Sequence, residues 1–201
     1  MSKYSIVGKN LGIRILDPID ITDEIMLWFN DATLMQYYTN SKNAISRNSL
    51  IDAIAKGRVE KNNFTYGIFD LSNDQCIGTL RLGPINLHHK ISDLVVLIGN
   101  KNYHGKGLAI EAIELGNKAA FELHGLRKLF GGMYASNISS IKAYLRAGWI
   151  VEGIRKGQYW NNEKHEDRIE VACFNPQVFN EKYIKDATLT DLEHLLSIYK
   201  S

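Results

Sequence analysis

Residues 11–16, Leu-Gly-Ile-Arg-Ile-Leu, alternate apolar and small or polar positions well enough to predict a first strand, which Asp17-Pro18 closes. The period then lengthens. Ile21, Ile25, Trp28 and Phe29 fall on one side of a helix entered through Thr22, Asp23 and Glu24, and Leu50, Ile51, Ile54 and Ala55 predict a second helix over 47–59. After Asn62-Asn63 the period drops to two. Residues 64–70 and 77–85, joined by a turn at Ser72-Asn73-Asp74, predict an antiparallel hairpin.

Beyond a loop over 86–90, Asp93-Leu94-Val95-Val96-Leu97-Ile98 is a continuous apolar run behind one carboxylate, the pattern of a strand covered on both faces. It feeds a glycine-containing stretch, 99–107, and then a long helix to about residue 124, whose stripe is Ala109, Ala112, Ile113, Gly116, Ala120 and Leu123. A strand (128–135), a helix (138–147), a strand (149–154) and a last strand (168–174) follow, with 163–168, Glu-Lys-His-Glu-Asp-Arg, expected as a solvated turn. This order predicts a mixed α/β domain over 1–175 with a strand, glycine loop and helix at its centre. Residues 176–201 read as an extension. There Thr190 and Glu193 make a capping-box pattern, and Leu189, Leu192, Leu195, Leu196 and Tyr199 an apolar stripe, so a short amphipathic helix is expected.

Composition narrows the function classes. The 201 residues carry 24 Lys plus Arg against 22 Asp plus Glu, a net charge of +2, and are 45% hydrophobic. That mix builds a core and argues against a disordered chain. The charge gives no broad cationic face, so no nucleic-acid partner is expected. Cys76 and Cys173 lie too far apart for a zinc pair and are too few for a disulfide scaffold, and no metal is expected. Without a run of about 18 to 20 apolar residues, no membrane span is expected, and the chain reads as cytoplasmic.

The richest stretch chemically is Tyr103-His104-Gly105-Lys106-Gly107-Leu108-Ala109. Two glycines allow a tight turn, and a helix begins there with unpaired N–H groups and the positive end of its dipole, an arrangement suited to phosphate. A Walker A loop needs Ser or Thr after the lysine, but Gly107 follows Lys106. A dinucleotide fingerprint needs a third glycine where Ile110 stands.

The stretch resembles the pyrophosphate loop of the GCN5-related N-acetyltransferase (GNAT) family, Gln/Arg-x-x-Gly-x-Gly/Ala, with Gly107 and Ala109 on the small positions and His104 in place of Gln or Arg. A second segment, Asn137-Ile138-Ser139-Ser140 through Tyr144 to Gly148-Trp149, resembles the family's Asn-x-x-Ala/Ser-x-x-x-Tyr-x-x-x-Gly-Phe, with Trp149 for Phe. Glu152-Gly153-Ile154-Arg155-Lys156 and Asp167 are similar to a further element of the subgroup that acetylates ribosomal-protein N-termini and polyamines.

The resemblance implies a mixed, mostly antiparallel sheet of about seven strands flanked by helices and splayed at the cofactor strand. It implies acetyl-CoA as co-substrate. The pantetheine would lie on the backbone at Leu97 and Ile98, with Gly99 at a bulge, and the phosphates would be cradled by His104, Gly105, Lys106, Gly107, Leu108 and Ala109. Asn137, Ser140 and Tyr144 would line the same groove. Tyr144 is the expected general acid. Asp93 is the expected base, with His88-His89 or a water chain as alternatives. Trp28, Tyr37, Tyr159 and Trp160 are the expected acceptor contacts; their aromatic and amide clusters suit a sugar ring as well as a peptide N-terminus, and the similarity of Trp28-Phe29-Asn30-Asp31 and Gly83-Pro84-Ile85-Asn86 to relatives that modify amino sugars implies a nucleotide-linked amino sugar as acceptor. A protein N-terminal amine, a polyamine or an antibiotic amine are the alternatives, as is a non-catalytic acyl-CoA-binding regulator. Either a monomer or a homodimer is expected.

Overall fold

The computed structural model describes residues 3–38, 44–161 and 163–184. Eight strands, β1 (Ile6–Val7), β2 (Leu11–Ile15), β3 (Phe64–Asp70), β4 (Cys76–Asn86), β5 (Ile91–Ile98), β6 (Lys128–Tyr134), β7 (Ile150–Asn161) and β8 (Lys164–Phe174), form one sheet in the order β1-β2-β3-β4-β5-β6-β8-β7. Every neighbouring pair is antiparallel except β5 and β6. Helices of the described residues flank it, among them α1 (Asp23–Asn30), α2 (Ala32–Met35), α3 (Arg47–Val59), α4 (Leu108–Lys118) and α5 (Ile138–Arg146). The mixed, mostly antiparallel architecture agrees with the expectation, with one strand more than the seven foreseen. The extra one is β1, two residues pairing with β2.

Local chemistry sets the helix ends. The Thr22, Asp31, Ser46 and Asn137 side chains each accept a backbone N–H in the first turn of α1, α2, α3 and α5. The alternation of β5 then sorts its side chains between two layers. Leu94, Val96 and Ile98 pack with Ile113 and Ala112 of α4 and Ile141 of α5, whereas Leu97 packs with Ile25, Trp28 and Met35 from the other side. The core is continuous on the α4/α5 side, where Leu80, Leu94, Ile113, Leu129 and Val171 are almost wholly buried. Each such side chain contributes about 1.5–3 kcal/mol relative to exposure.

Three details depart from the sequence reading. The last hairpin is longer than expected, because β7 runs to Asn161 and β8 starts at Lys164, so most of 163–168 is strand rather than solvated turn. Its polar residues read as a turn because one face of this hairpin is not apolar. Next, α4 is followed by a π-helical turn, Ala119–Leu123. Finally, Trp28, expected at the acceptor, packs under Gly99, where a Cβ would fall 2.0 Å from its ring; the Gly99 and Asn100 N–H groups both donate to the Ile77 carbonyl, at 2.9 and 3.0 Å, the doubled pairing of a bulge just past β5. The amphipathic helix expected over 189–199 lies outside the described residues. Phe179 and Ile184, beyond the sheet, pack on Ile150, Ala172 and Phe174. Among the described residues, no helix is long and apolar enough to cross a membrane.

Candidate active site

The site originates in a parting of strands. β5 and β6 pair at Ile91↔Lys128, Ser92↔Leu129 and Asp93↔Phe130, and no further. From Leu94 to Ile98 that edge of β5 therefore has no neighbouring strand. Side chains reach it instead. The Tyr144 hydroxyl, carried in by α5, donates to the Leu94 carbonyl at 2.8 Å and accepts from the Val96 N–H. His104 Nε2 lies 2.7 Å from the Ile98 carbonyl, and since a carbonyl only accepts, the ring proton sits on Nε2.

These contacts give the open edge to Leu94, Val96 and Ile98. Backbone groups alternate along a strand, so Leu97, expected on this edge, turns its N–H and C=O toward β4. The Leu97 carbonyl would lie 2.2 Å from a Cβ on Gly78 of that strand. Ile98 is in the phase expected, Leu97 is not, and Val96 is the residue that apolar periodicity could not single out.

At the end of this edge, Gly105 and Gly107 both have φ of +75°, the left-handed region that glycine enters without penalty. Gly107 is the N-cap of α4 and offers no side-chain cap; the Ile110 N–H donates to the Gly107 carbonyl at 3.1 Å, which leaves the Leu108 and Ala109 N–H groups with the lack of partners intrinsic to a helix start. Nothing lies within 4 Å of where a Cβ would stand on either glycine, so the loop borders open space. Glu111, the one acidic residue of that first turn, accepts from Asn10 N, Asn10 Nδ2 and Leu11 N and is turned to the β1–β2 connection. Lys106 Nζ sits 5.1 Å from the Tyr103 ring centroid. The loop thus offers backbone donors and a positive dipole end to an anion.

The other side of the gap is built from side chains. Asp93 and Arg81 lie on one face of adjacent strands, diagonal across the register Leu82↔Leu94, with Arg81 Nη2 3.6 Å from Asp93 Oδ2. Burial pushes the Asp93 carboxyl above its usual range, against the pull of Arg81, the Leu94 N–H and Arg168. Tyr38, half-buried beside the pair, is pushed up to about 12 by its loss of solvent. Tyr144 is pushed well above the ordinary phenol, first by burial and then by the Asp93 charge. A wall of tyrosines continues the surface: Tyr134 and Tyr159 stack with centroids 3.9 Å apart, and Tyr37 meets Tyr134 at 5.6 Å.

Together these groups enclose a cleft of about 540 Å³. Asp93, Ile98, His104, Ala109, Asn137, Ser140, Tyr144, Tyr37 and Tyr159 line it, as does the side of Leu97, while Gly105, Lys106, Gly107 and Leu108 stand beside it. Two expected acceptor contacts stand elsewhere. Trp28 is buried between Gly99, Met35 and Leu97 and does not line the cleft. Trp160 is 65% exposed near the tip of the β7–β8 hairpin, against His165. His88 and His89 sit on an exposed turn outside the cleft, their rings edge to face at 4.7 Å.

Sequence reading missed Arg81, Tyr134 and Arg168, which line the cleft together with Tyr38 of the Met35-Gln36-Tyr37-Tyr38 aromatic cluster. It also missed Asn117, a polar residue inside the α4 stripe and the one signal among these that was readable. Its amide donates to the Ala147 carbonyl at 3.1 Å and its carbonyl accepts Trp149 Nε1 at 3.0 Å, tying α4 to the end of α5. Trp149 in turn meets Tyr144 edge-on at 4.8 Å and holds that ring in place.

Comparison with known proteins agrees with this geometry. Residues 13–150 match the sequence profile of the family described as "Acetyltransferase (GNAT) domain". The chain is 31% identical over 120 residues to the probable N-acetyltransferase YjcK of Bacillus subtilis (strain 168), covering 59% of this chain and 66% of that protein. It is 29% identical over 112 residues to the spermidine N(1)-acetyltransferase of Escherichia coli (strain K12), covering 56% and 60%. The matched part thus spans somewhat under two thirds of each relative. Among solved structures, the spermidine N-acetyltransferase from Vibrio cholerae in complex with CoA and spermine superposes with a TM-score of 0.76 at 20% identity, over 86% of this chain and 100% of that one. The profile covers more than half of the sequence and the neighbour repeats the fold, so the chain belongs to the GNAT acetyltransferase family.

Proposed function

We propose that this protein transfers the acetyl group of acetyl-CoA to a primary amine. The observation that carries the reading is the open edge of β5, with a tyrosine hydroxyl on it and a glycine loop leading into a helix start at its end. The residues present fit the co-substrate. Val96 and Ile98 offer backbone groups to an amide-containing arm, and residues 105–109 offer N–H groups to a pyrophosphate. Acetyl-CoA supplies a thioester, an acyl donor with a good leaving group.

The chain's own groups account for the proton movements. An amine attacks only when neutral, and Asp93, whose carboxyl burial has made more basic, takes its proton. The nitrogen bonds to the thioester carbonyl carbon, the carbon–sulfur bond breaks, and the departing sulfur receives the Tyr144 hydroxyl proton. The nitrogen loses a second proton as the amide forms, which restores the tyrosine by way of solvent, and Asp93 releases the first proton to solvent. Neither cysteine serves as a nucleophile, because burial pushes the Cys76 thiol up to about 11 and the Cys173 thiol up to about 12.

For the acceptor, the relatives' names support a polyamine over the amino sugar expected from the sequence: one relative is a spermidine acetyltransferase and the structural neighbour was solved with spermine. The test is thiol release from acetyl-CoA across spermidine, spermine, an amino sugar and a peptide N-terminus. Turnover with at least one is expected. Tight CoA binding with no turnover on any amine would favour a regulator, and a preference for ATP or NAD over CoA would overturn the co-substrate assignment.

A further inference from the structure

The face of the sheet that carries Asp93 also carries charges that acetyl transfer does not use. Arg168 and Glu170 alternate onto that face of β8, and Arg168 stands directly across from Arg155 of β7. Two like charges in that relation repel. Glu170 offsets them, its Oε1 lying 2.6 Å from Arg155 Nε and 3.0 Å from Arg168 Nε, both ion pairs off the line of a hydrogen bond. One carboxylate between two guanidinium groups leaves one positive charge uncompensated. Glu166, the next carboxylate on this face, is occupied by the Ser136 N–H at 2.7 Å and the Asn161 amide at 2.8 Å, and it does not line the cleft.

Among the described residues that line the cleft, the Asp, Glu, Lys and Arg side chains are Arg81, Asp93 and Arg168. Arg81 and Asp93 offset each other, so the surplus is the positive charge of Arg168. A polycation needs the reverse. Arg168 is also held in place. It crosses β6 at Gly132, where a Cβ would fall 1.9 Å from its Nε, so that glycine makes the channel in which the side chain lies. Its Cζ is 5.9 Å from the Tyr159 ring, to whose hydroxyl it also donates. With Nε turned to Glu170, donors on the terminal amino groups remain, a fork suited to a carboxylate or phosphate.

We infer that Arg168 binds an anionic group of the acceptor, a carboxylate or a phosphate, while Asp93 meets the acceptor's amine. The inference rests on the acetyl-transfer reading and separates this chain's acceptor from the spermidine and spermine of its relatives. The tyrosine wall, Tyr37, Tyr134 and Tyr159, gives the body of such an acceptor a flat face to lie on.

Paired amines that differ only in the anion test it: lysine against cadaverine, and glucosamine 6-phosphate against glucosamine, with spermidine as the polycation. The wild-type protein prefers the anionic member of at least one pair by about 10- to 100-fold in kcat/KM, the value of one or two charge-assisted hydrogen bonds. The carboxylate and phosphate pairs tell the two anions apart. Arg168→Gln removes that preference by raising KM for the anionic member of the pair, and Arg168→Lys restores part of it. A thermal melt confirms that both variants fold, and the wild-type preference stands independently of them. Spermidine or cadaverine outrunning every anionic partner overturns the inference, as does a preference that survives Arg168→Gln. Acetylation with the wrong preference defeats this inference alone, whereas no acetylation of any amine defeats the acetyl-transfer reading beneath it.

Discussion

The two sides of the gap between β5 and β6 are made of different material. On the α4/α5 side, the groups on offer are backbone: the Val96 carbonyl and the Ile98 N–H, the N–H groups after Gly107, and glycines in the left-handed region. On the opposite face they are side chains from strands remote in sequence, Arg81 and Asp93 on β4 and β5, Tyr134 on β6, and Tyr159 and Arg168 on β7 and β8. A backbone site binds the same chemical group whatever side chains surround it. A side-chain site changes its ligand with each substitution. That difference explains how a family can share one co-substrate and diverge in acceptors.

Substitutions on each face sharpen the contrast. The largest effect is expected at Asp93. Asp93→Asn lowers kcat/KM by about 10²- to 10⁴-fold, with the KM for acetyl-CoA little changed. The rate depends on the ionised carboxylate, so in the wild type it rises with pH through a value above the usual carboxyl range and falls as Asp93 takes up its proton. Arg81→Met removes a stabilising charge and moves that acid limb to still higher pH, which a pH profile of kcat/KM reads directly. An unmoved limb would separate Asp93 from the proton transfer.

On the cofactor face, Gly107→Val raises the KM for acetyl-CoA by about tenfold. It does so through strain, since the left-handed conformation costs an L-residue about 1–2 kcal/mol and a β-branched one more, and not through a clash, because the space around it is open. The acceptor KM stays the same. Steady-state kinetics with each substrate varied in turn show whether the faces are as separate as the structure makes them.

Sequence legibility follows the same division. The cofactor face was readable because a backbone site leaves a local mark: Gly105, Gly107 and Ala109 in one loop, Asn137 and Tyr144 two helical turns apart. The strand phase was not, since an unbroken apolar run hides which residues turn to the gap, and Leu97 was taken where Val96 belongs. The acceptor face was legible in part, at Asp93 beside a motif and at Tyr37 and Tyr159 in aromatic clusters. Arg168 and Gly132 are 36 residues apart by number (168 − 132) and meet only through the β6–β8 register, and Trp28, aromatic and near the right helix, turned out to fill the space under Gly99.

Smaller effects are expected away from the reacting atoms. Trp149→Phe leaves Asn117 without its buried N–H partner and destabilises the fold by about 1–3 kcal/mol, measurable by urea unfolding, while slowing turnover only through a looser Tyr144. His104→Gln changes the KM for acetyl-CoA by about threefold or less, because an amide can donate to the same Ile98 carbonyl. A loss far beyond that would move His104 from support of the strand end to direct contact with the co-substrate, and would weaken the division between backbone and side-chain recognition.

The measurement that bears most directly on the account is made on Tyr144→Phe, reading kcat for acetyl transfer and the Kd for CoA on the same preparation. The hydroxyl lies on the open edge of β5, between the Leu94 carbonyl and the Val96 N–H, where the departing sulfur needs a proton. The account predicts a fall in kcat of about 10²- to 10⁴-fold with the Kd for CoA within about threefold of the wild type. Unchanged turnover, or a loss of activity that follows entirely from lost CoA binding, would contradict it.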